Sequence, residues 1–313
     1  MKKVLTFLIL IFLVYSCNDG DVAVQDISFE NATGANCGNI SYKIKGNEVL
    51  IIKYADITKA YIADQTEKDK PISLTIDENN PVTYRVYNAV PTAANFCGSQ
   101  IPPATPIVVE EWTATSGTIL ITTTIAKSTD TTSNATTITG YNNYVQLKNI
   151  TFKKPNGDQF YETFNFGNIT VPFAPLNFAF TSNIEQCATS NNLTSKIGSV
   201  ALISFNNIDN LIQPIDTPVN APRVSVINLT NNKLFYRVFS AIDLNSNYKC
   251  KTAYVLTDNL LQEWIATSGT VEVTTTSSGA LYTHKVRLKG VKFTKGKSDF
   301  YLGDDFALGQ LQN

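Results

Sequence analysis

Glu111-Trp112-Thr113-Ala114-Thr115-Ser116-Gly117-Thr118 recurs as Glu263-Trp264-Ile265-Ala266-Thr267-Ser268-Gly269-Thr270. A near-copy at a fixed distance is the mark of a repeated structural unit. Other blocks extend the match in both directions. Tyr84-Arg85-Val86-Tyr87 recurs as Tyr236-Arg237-Val238-Phe239, and Thr122-Thr123-Thr124 as Thr274-Thr275-Thr276. Leu147-Lys148-Asn149-Ile150-Thr151-Phe152 recurs as Leu288-Lys289-Gly290-Val291-Lys292-Phe293. The offset is 152 at the Arg and Trp blocks and 141 at the last one.

The repeat reads as β throughout. Short β-branched and aromatic runs are broken by Gly, Pro and Asn, and helical periodicity is hard to find. Candidate strands are 40–45, 48–54, 71–77, 82–88, 107–114, 118–126, 143–153 and 158–166 in the first copy. In the second they are 199–205, 223–229, 234–240, 254–256, 260–266, 270–276, 282–294 and 299–302. Thr115-Ser116-Gly117 and Thr267-Ser268-Gly269 read as hairpin turns. The expected fold is all-β, with two tandem, homologous β-sandwich domains of immunoglobulin-like or jelly-roll-like type. They are expected over residues 27–170 and 176–313. Val171-Pro172-Phe173-Ala174-Pro175 is a natural boundary, because prolines do not sit in central strands.

The drop in offset locates an insertion. Repeat one has 22 residues between the Thr triplet and the Leu-Lys strand, and repeat two has 11. The surplus, around Ser128 to Gly140, is polar and Thr-rich, which predicts an exposed hairpin tip. Asp130-Thr131-Thr132 within it resembles the O-glycosylation sequon of Bacteroidota, which makes Thr131 a candidate modification site.

The five cysteines divide cleanly. Cys37 matches Cys187 and Cys97 matches Cys250, so the repeat selects Cys37–Cys97 and Cys187–Cys250 from the three possible pairings of four cysteines. Each bridge closes a loop of about 60 residues, for which chain entropy gives roughly 4 kcal/mol. Cys17 is left over.

The N-terminus accounts for it. Lys2 and Lys3 precede a run from Val4 to Tyr15 that is apolar apart from Thr6. That run has the length of a signal h-region and is too short for a membrane span of roughly 20 residues. Leu13-Val14-Tyr15-Ser16-Cys17 resembles a lipobox, in which the cysteine thiolate accepts diacylglycerol and cleavage frees its amine. The expectation is a signal peptide over 1–16 and a lipidated tether over 17–26. Asn18-Asp19-Gly20-Asp21 resembles the acidic signal that carries Bacteroidota lipoproteins to the cell surface. The class so indicated is a surface-exposed outer-membrane lipoprotein facing the cell exterior. The resemblance covers the leader, the tether and the repeated β-architecture, and no repeat family is identified by it.

Composition narrows the function. Removing residues 1–16 takes away Lys2 and Lys3, leaving 23 basic against 26 acidic side chains. With no basic field, nucleic acid is not an expected partner. Hydrophobic residues make up 43% and charged residues 16%, which suits a packed β-protein with a neutral polar surface.

Catalytic signatures are weak. No GxSxG, HExxH or P-loop occurs. His284, the single histidine, matches Asn143 and so belongs to no repeated constellation. Glu110 and Glu111 are strand neighbours pointing to opposite faces, so they cannot form a glycosidase pair unaided. Asp304, Asp305 and Asp243-Leu244-Asn245-Ser246-Asn247 match no Ca²⁺ loop. Arg85/Arg237, Glu111/Glu263 and Trp112/Trp264 could grip a sugar or carboxylate. The reading preferred for them is structural, with the Trp packed on a disulfide and Arg pairing Glu.

The expectation is therefore a non-enzymatic interaction module without metal or cofactor. It would dock on an outer-membrane protein complex for barrel assembly, secretion or uptake. The alternative is a surface glycan-binding lipoprotein, with Tyr141 and Tyr144 as exposed ligand or partner residues. A hydrolase is the third reading.

Overall fold

The computed structural model describes residues 27–98, 103–180, 183–187, 192–197, 200–206, 208, 211–230, 232–240, 246–251, 253–254 and 259–313. Cys17, the leader, the tether and residues 243–245 lie outside the described residues.

The chain is nearly all β and forms two sandwich-like domains. The first comprises β1 (Gly34–Cys37), β2 (Ile40–Lys45), β3 (Glu48–Lys53), β4 (Ile72–Thr75), β5 (Val82–Tyr87), β6 (Val108–Thr129), β7 (Thr136–Lys154) and β8 (Gly157–Pro172). Pairing is antiparallel and follows β1-β2-β3-β5-β6-β7-β8, with β4 also on β6. The second comprises β9 (Glu185–Gln186), β10 (Leu193–Ile197), β11 (Ala201–Asn206), β12 (Arg223–Val226), β13 (Lys233–Phe239), β14 (Leu260–Ser278), β15 (Leu281–Lys295), β16 (Ser298–Tyr301) and β17 (Asp305–Gln312). Its order is β9-β10-β11-β13-β14-β15-β16, with β12 on β14 and β17 on β15.

One long strand links the two layers of each domain. The first part of β6 pairs with β5, and its continuation pairs with β4. The Thr115-Ser116-Gly117 segment is therefore not a hairpin turn. It is a pair of register shifts inside β6, and the same shifts occur in β14 at Ser268. Bulges increase twist and bend a strand, so the sheet can fold over on itself here. Gly117 has φ +132°, and a Cβ there would lie 2.9 Å from Ile150 Cα. Gly269 has φ +121° and meets Val291 Cα at 2.8 Å in the same way. A glycine is required at this fold-over because the next strand's backbone crosses where a side chain would be.

The inner face of each fold-over is apolar. Trp112 packs on Tyr84 with centroids 4.7 Å apart and lies near Phe152. Leu50, Ile52, Ile119, Ile121 and Phe166 complete that core. In the second domain Trp264 packs on Phe300 at 5.1 Å, amid Ile203, Tyr236, Val271 and Phe293. Val49 and Ile51 are buried on the opposite face of β3 with Tyr87, against Phe96. Strand β3 is thus apolar on both faces, because the segment ending at Cys97 covers its outer side.

The insertion departs from expectation. It is the tip of the β6–β7 hairpin, but it is not wholly exposed. Ile138 is 1% exposed and belongs to the core of the second domain. Tyr301 N donates to Thr136 Oγ1 at 2.7 Å, and Asp304 N to Ser133 O at 2.9 Å. Asn134 Nδ2 donates to Asp304 Oδ2 at 2.7 Å. Nearby, Asp64 accepts from Lys297 N at 3.0 Å and Ser298 Oγ at 2.8 Å. A polar, Thr-rich composition signalled a solvated loop, but its one isoleucine found a neighbouring core.

Candidate functional site

Both disulfides are formed, Cys37–Cys97 and Cys187–Cys250. Each ties a domain's early strands to the segment covering its outer face.

The Arg, Glu and Trp blocks occupy identical registers. Arg85 faces Glu111 and Tyr84 faces Trp112, as Arg237 faces Glu263 and Tyr236 faces Trp264. Strand alternation splits the group, since consecutive residues point to opposite faces. Trp112 and Trp264 enter the cores, at 1% and 0% exposure, with aromatic partners. Their indole N–H groups donate to Glu110 Oε1 at 2.7 Å and Gln262 Oε1 at 3.0 Å. The Arg–Glu pairs lie on the other face, each with Nε 2.5 Å from the carboxylate. No sugar can touch Arg and Trp of one block together. Arg237 is buried and also donates to Ser204 Oγ at 2.8 Å, between the rings of Phe235 and Tyr254.

His284 is fully buried. Its Nδ1 meets Thr275 Oγ1 at 2.8 Å and its Nε2 meets Asn313 Oδ1 at 2.9 Å. Both ring nitrogens are engaged in packing the sheet. The first domain fills the place with Asn143, which accepts from Thr123 Oγ1 at 2.8 Å. Asp304 is held by Asn134 and by the Tyr301 hydroxyl at 2.8 Å. Asp305 pairs with Arg287 at 2.7 Å and Lys289 at 2.6 Å. These two basic neighbours hold its carboxyl down to about 2. Among the described residues, no group of three or more His, Cys, Asp or Glu is placed to hold a metal ion.

Tyr141 and Tyr144 part company. Tyr141 is not exposed: at 3% it packs edge-on against Phe173, 5.8 Å away, and its hydroxyl lies 3.3 Å from Ser298 Oγ. Burial pushes its hydroxyl pKa up. The register explains the difference. Asn143 and Val145 point inward, so Tyr144 between them points out. Tyr141 shares the inward parity, and the second domain covers that stretch. Tyr144 is 38% exposed. Thr131 sits exposed in the turn of the hairpin tip, where Asp130 Oδ1 accepts from the backbone of Thr132 and Ser133.

Tyr144 lines a cleft of about 510 Å³ with Glu30, Lys43, Asn165, Asn168 and Thr170. The cleft lies where β1 comes against β8. It is shaped by a bulge, since β7 pairs Val145 with Gly167 and Gln146 with Asn165, leaving Phe166 unmatched. Lys43 reaches it from β2 and is 3% exposed. Its ammonium donates to Phe29 O at 3.1 Å and lies 5.8 Å from the Phe166 ring centre. Burial lowers its pKa, and the field of Glu30 works against that. Sequence reading missed Lys43, because a lysine in Ser41-Tyr42-Lys43-Ile44-Lys45 looks like an ordinary solvated strand position.

No family model, no curated protein and no solved structure matches this chain. Among the described residues, no helix is long and apolar enough to cross a membrane.

Proposed function

We propose that this chain is a non-enzymatic interaction module, anchored to the outer membrane by lipid on Cys17 and facing the cell exterior. Lys2, Lys3, the apolar run and Leu13-Val14-Tyr15-Ser16-Cys17 support the anchor, and Asp19 and Asp21 support the surface address. Two acyl chains hold a protein stably, at about 0.8 kcal/mol per buried methylene. We read the two domains as copies of one duplicated unit, on the strength of their shared registers.

The observation that carries docking is strand β12. Val224 and Val226 point to solvent at 54% and 58% exposure. The corresponding positions of β4, paired at the same place on β6, are Ser73 and Thr75. An apolar edge strand is a liability unless a partner covers it. The partner proposed is an outer-membrane protein complex of the barrel-assembly, secretion or uptake kind. Affinity purification from detergent-solubilised membranes should recover a stable partner, and V224S/V226S should lose it. Recovery of the chain alone refutes docking. Palmitate labelling should disappear in C17A, and its persistence refutes the anchor.

A second reading, surface glycan binding, is favoured by a separate observation. Tyr144 presents a half-open ring in a polar cleft, and aromatic faces stack on sugars. Retention of the protein on a polysaccharide would support it.

A further inference from the structure

The first domain's cleft differs from its counterpart in a way the fold does not require. In the second domain β15 pairs Val286 with Gly309 and Arg287 with Ala307, leaving Leu308 unmatched. The bulge is thus the same, and a cleft of about 440 Å³ opens beside it. Its residues are other ones. Lys285 stands where the first domain has Tyr144, and Ala307 where it has Asn165. Lys43 faces Leu50, which faces Tyr84. The matching chain of pairs runs from Ser195 through Ile203 to Tyr236. Buried Ser195 therefore occupies the place of Lys43. A neutral residue suffices for the fold, so the buried cation needs another reason.

That cation is poorly compensated. Among the described residues, no carboxylate lies within ion-pair distance of Lys43 Nζ, and its hydrogen bond goes to one carbonyl. A buried ammonium without a counter-charge is costly and is ordinarily paired. Three donors are available on an ammonium, and one is used. Gly167, in the bulge, brings the backbone against this group: a Cβ there would stand 2.9 Å from Nζ. The ammonium thus borders the cleft, whose lining also includes Tyr144 and, along β8, Asn165, Asn168 and Thr170.

We propose that this cleft binds a sugar bearing a single carboxylate, a uronic acid or a glycan that exposes one. The inference rests on the glycan reading and adds the ligand's charge and the residue that reads it. The carboxylate supplies a paired counter-charge where Glu30 acts only through its field, by a charge-assisted hydrogen bond to Lys43. Tyr144 offers its face to the ring, and the β8 amides and Thr170 hydroxyl meet sugar hydroxyls. Glu30, which also lines the cleft, disfavours ligands of higher negative charge, such as a dianionic sugar phosphate. The volume falls within the range of about 300–1,000 Å³ typical of small-ligand clefts.

The test titrates the full-length mature protein with galacturonate, galactose and acetate, followed by saturation-transfer NMR. A hydrogen bond to a charged group contributes about 1.5–3 kcal/mol, so galacturonate should bind about tenfold or more tighter than galactose. K43S, which installs the second domain's residue, should bring the two sugars to equal affinity without lowering the melting temperature. Y144K should weaken both. Equal binding of the two sugars by wild type, or a preference that survives K43S, overturns the inference while leaving glycan binding intact. Acetate binding as tightly as galacturonate overturns the saccharide assignment. Failure of every sugar to bind overturns this inference and the glycan reading together.

Discussion

Ile138 offers the sharpest test of how the two domains are joined. It belongs to the β6–β7 hairpin of the first domain, yet it is 1% exposed within the second domain's core. Ile138→Ala removes most of a buried aliphatic side chain, and burial at this level puts the cost at about 2–5 kcal/mol. For domains of roughly 150–250 residues each kcal/mol moves the midpoint by about 2–4 °C, so a loss of about 4–20 °C is expected. Leu281→Ala is the control, because Leu281 is 59% exposed. It should change stability by no more than about 0.5 kcal/mol. Differential scanning calorimetry on the mature protein compares them. The hairpin tip should also become sensitive to protease near Ser133 in the Ile138 variant alone, once its docking on Asp304 and Tyr301 loosens. A midpoint for Ile138→Ala within 2 °C of the Leu281→Ala control, about the shift of a surface substitution, would refute the docked hairpin.

Three further outcomes follow from the paired geometry. Glu263→Ala should cost more than Glu111→Ala, about 1–3 against 0–1 kcal/mol by urea unfolding, because Arg237 is buried and Arg85 is partly exposed; equal costs would show that burial of the arginine is immaterial. Replacing either cystine by a pair of serines should cost about 4 kcal/mol, since the bridges span 60 and 63 residues, and a loss below 1 kcal/mol would contradict the loop-closure account. The Asp305 carboxyl is held below its unfolded value by Arg287 and Lys289, so its contribution is present above about pH 4 and falls away as pH drops toward 2. NMR titration should place its midpoint near 2, with the pair's exposure keeping the stability change small, and a midpoint near 4 would deny the pairing.

Much of this was legible in residue order. The repeat blocks located the paired strands, because side chains that must face one another across a sheet keep their spacing. Matching cysteines gave the correct bridges for the same reason. Other features were not legible. Thr115-Ser116-Gly117 has turn composition, but the glycine serves a crossing by Ile150 and Val291-type neighbours distant in sequence, which no local pattern records. Strands β1, β10 and β17 escaped notice because Gly34–Cys37, Leu193–Ile197 and Asp305–Gln312 lack sustained apolar alternation. Their partners supply the pairing that their own propensity does not.

For Tyr141 and Tyr144 the sequence offered two equal aromatics three residues apart, and the tertiary structure made one a core residue and the other a surface one. Parity along β7 and the neighbouring domain decided that, since both depend on what lies across the strand. Lys43 is the same lesson in reverse. By itself the sequence determined a disulfide-closed β-chain, because periodicity and spacing are local or pairwise properties of residue order. Only the tertiary structure decided that a lysine, a tyrosine and three polar side chains meet beside a bulge, because that meeting is made by a sheet folding back until its first strand lies against its last.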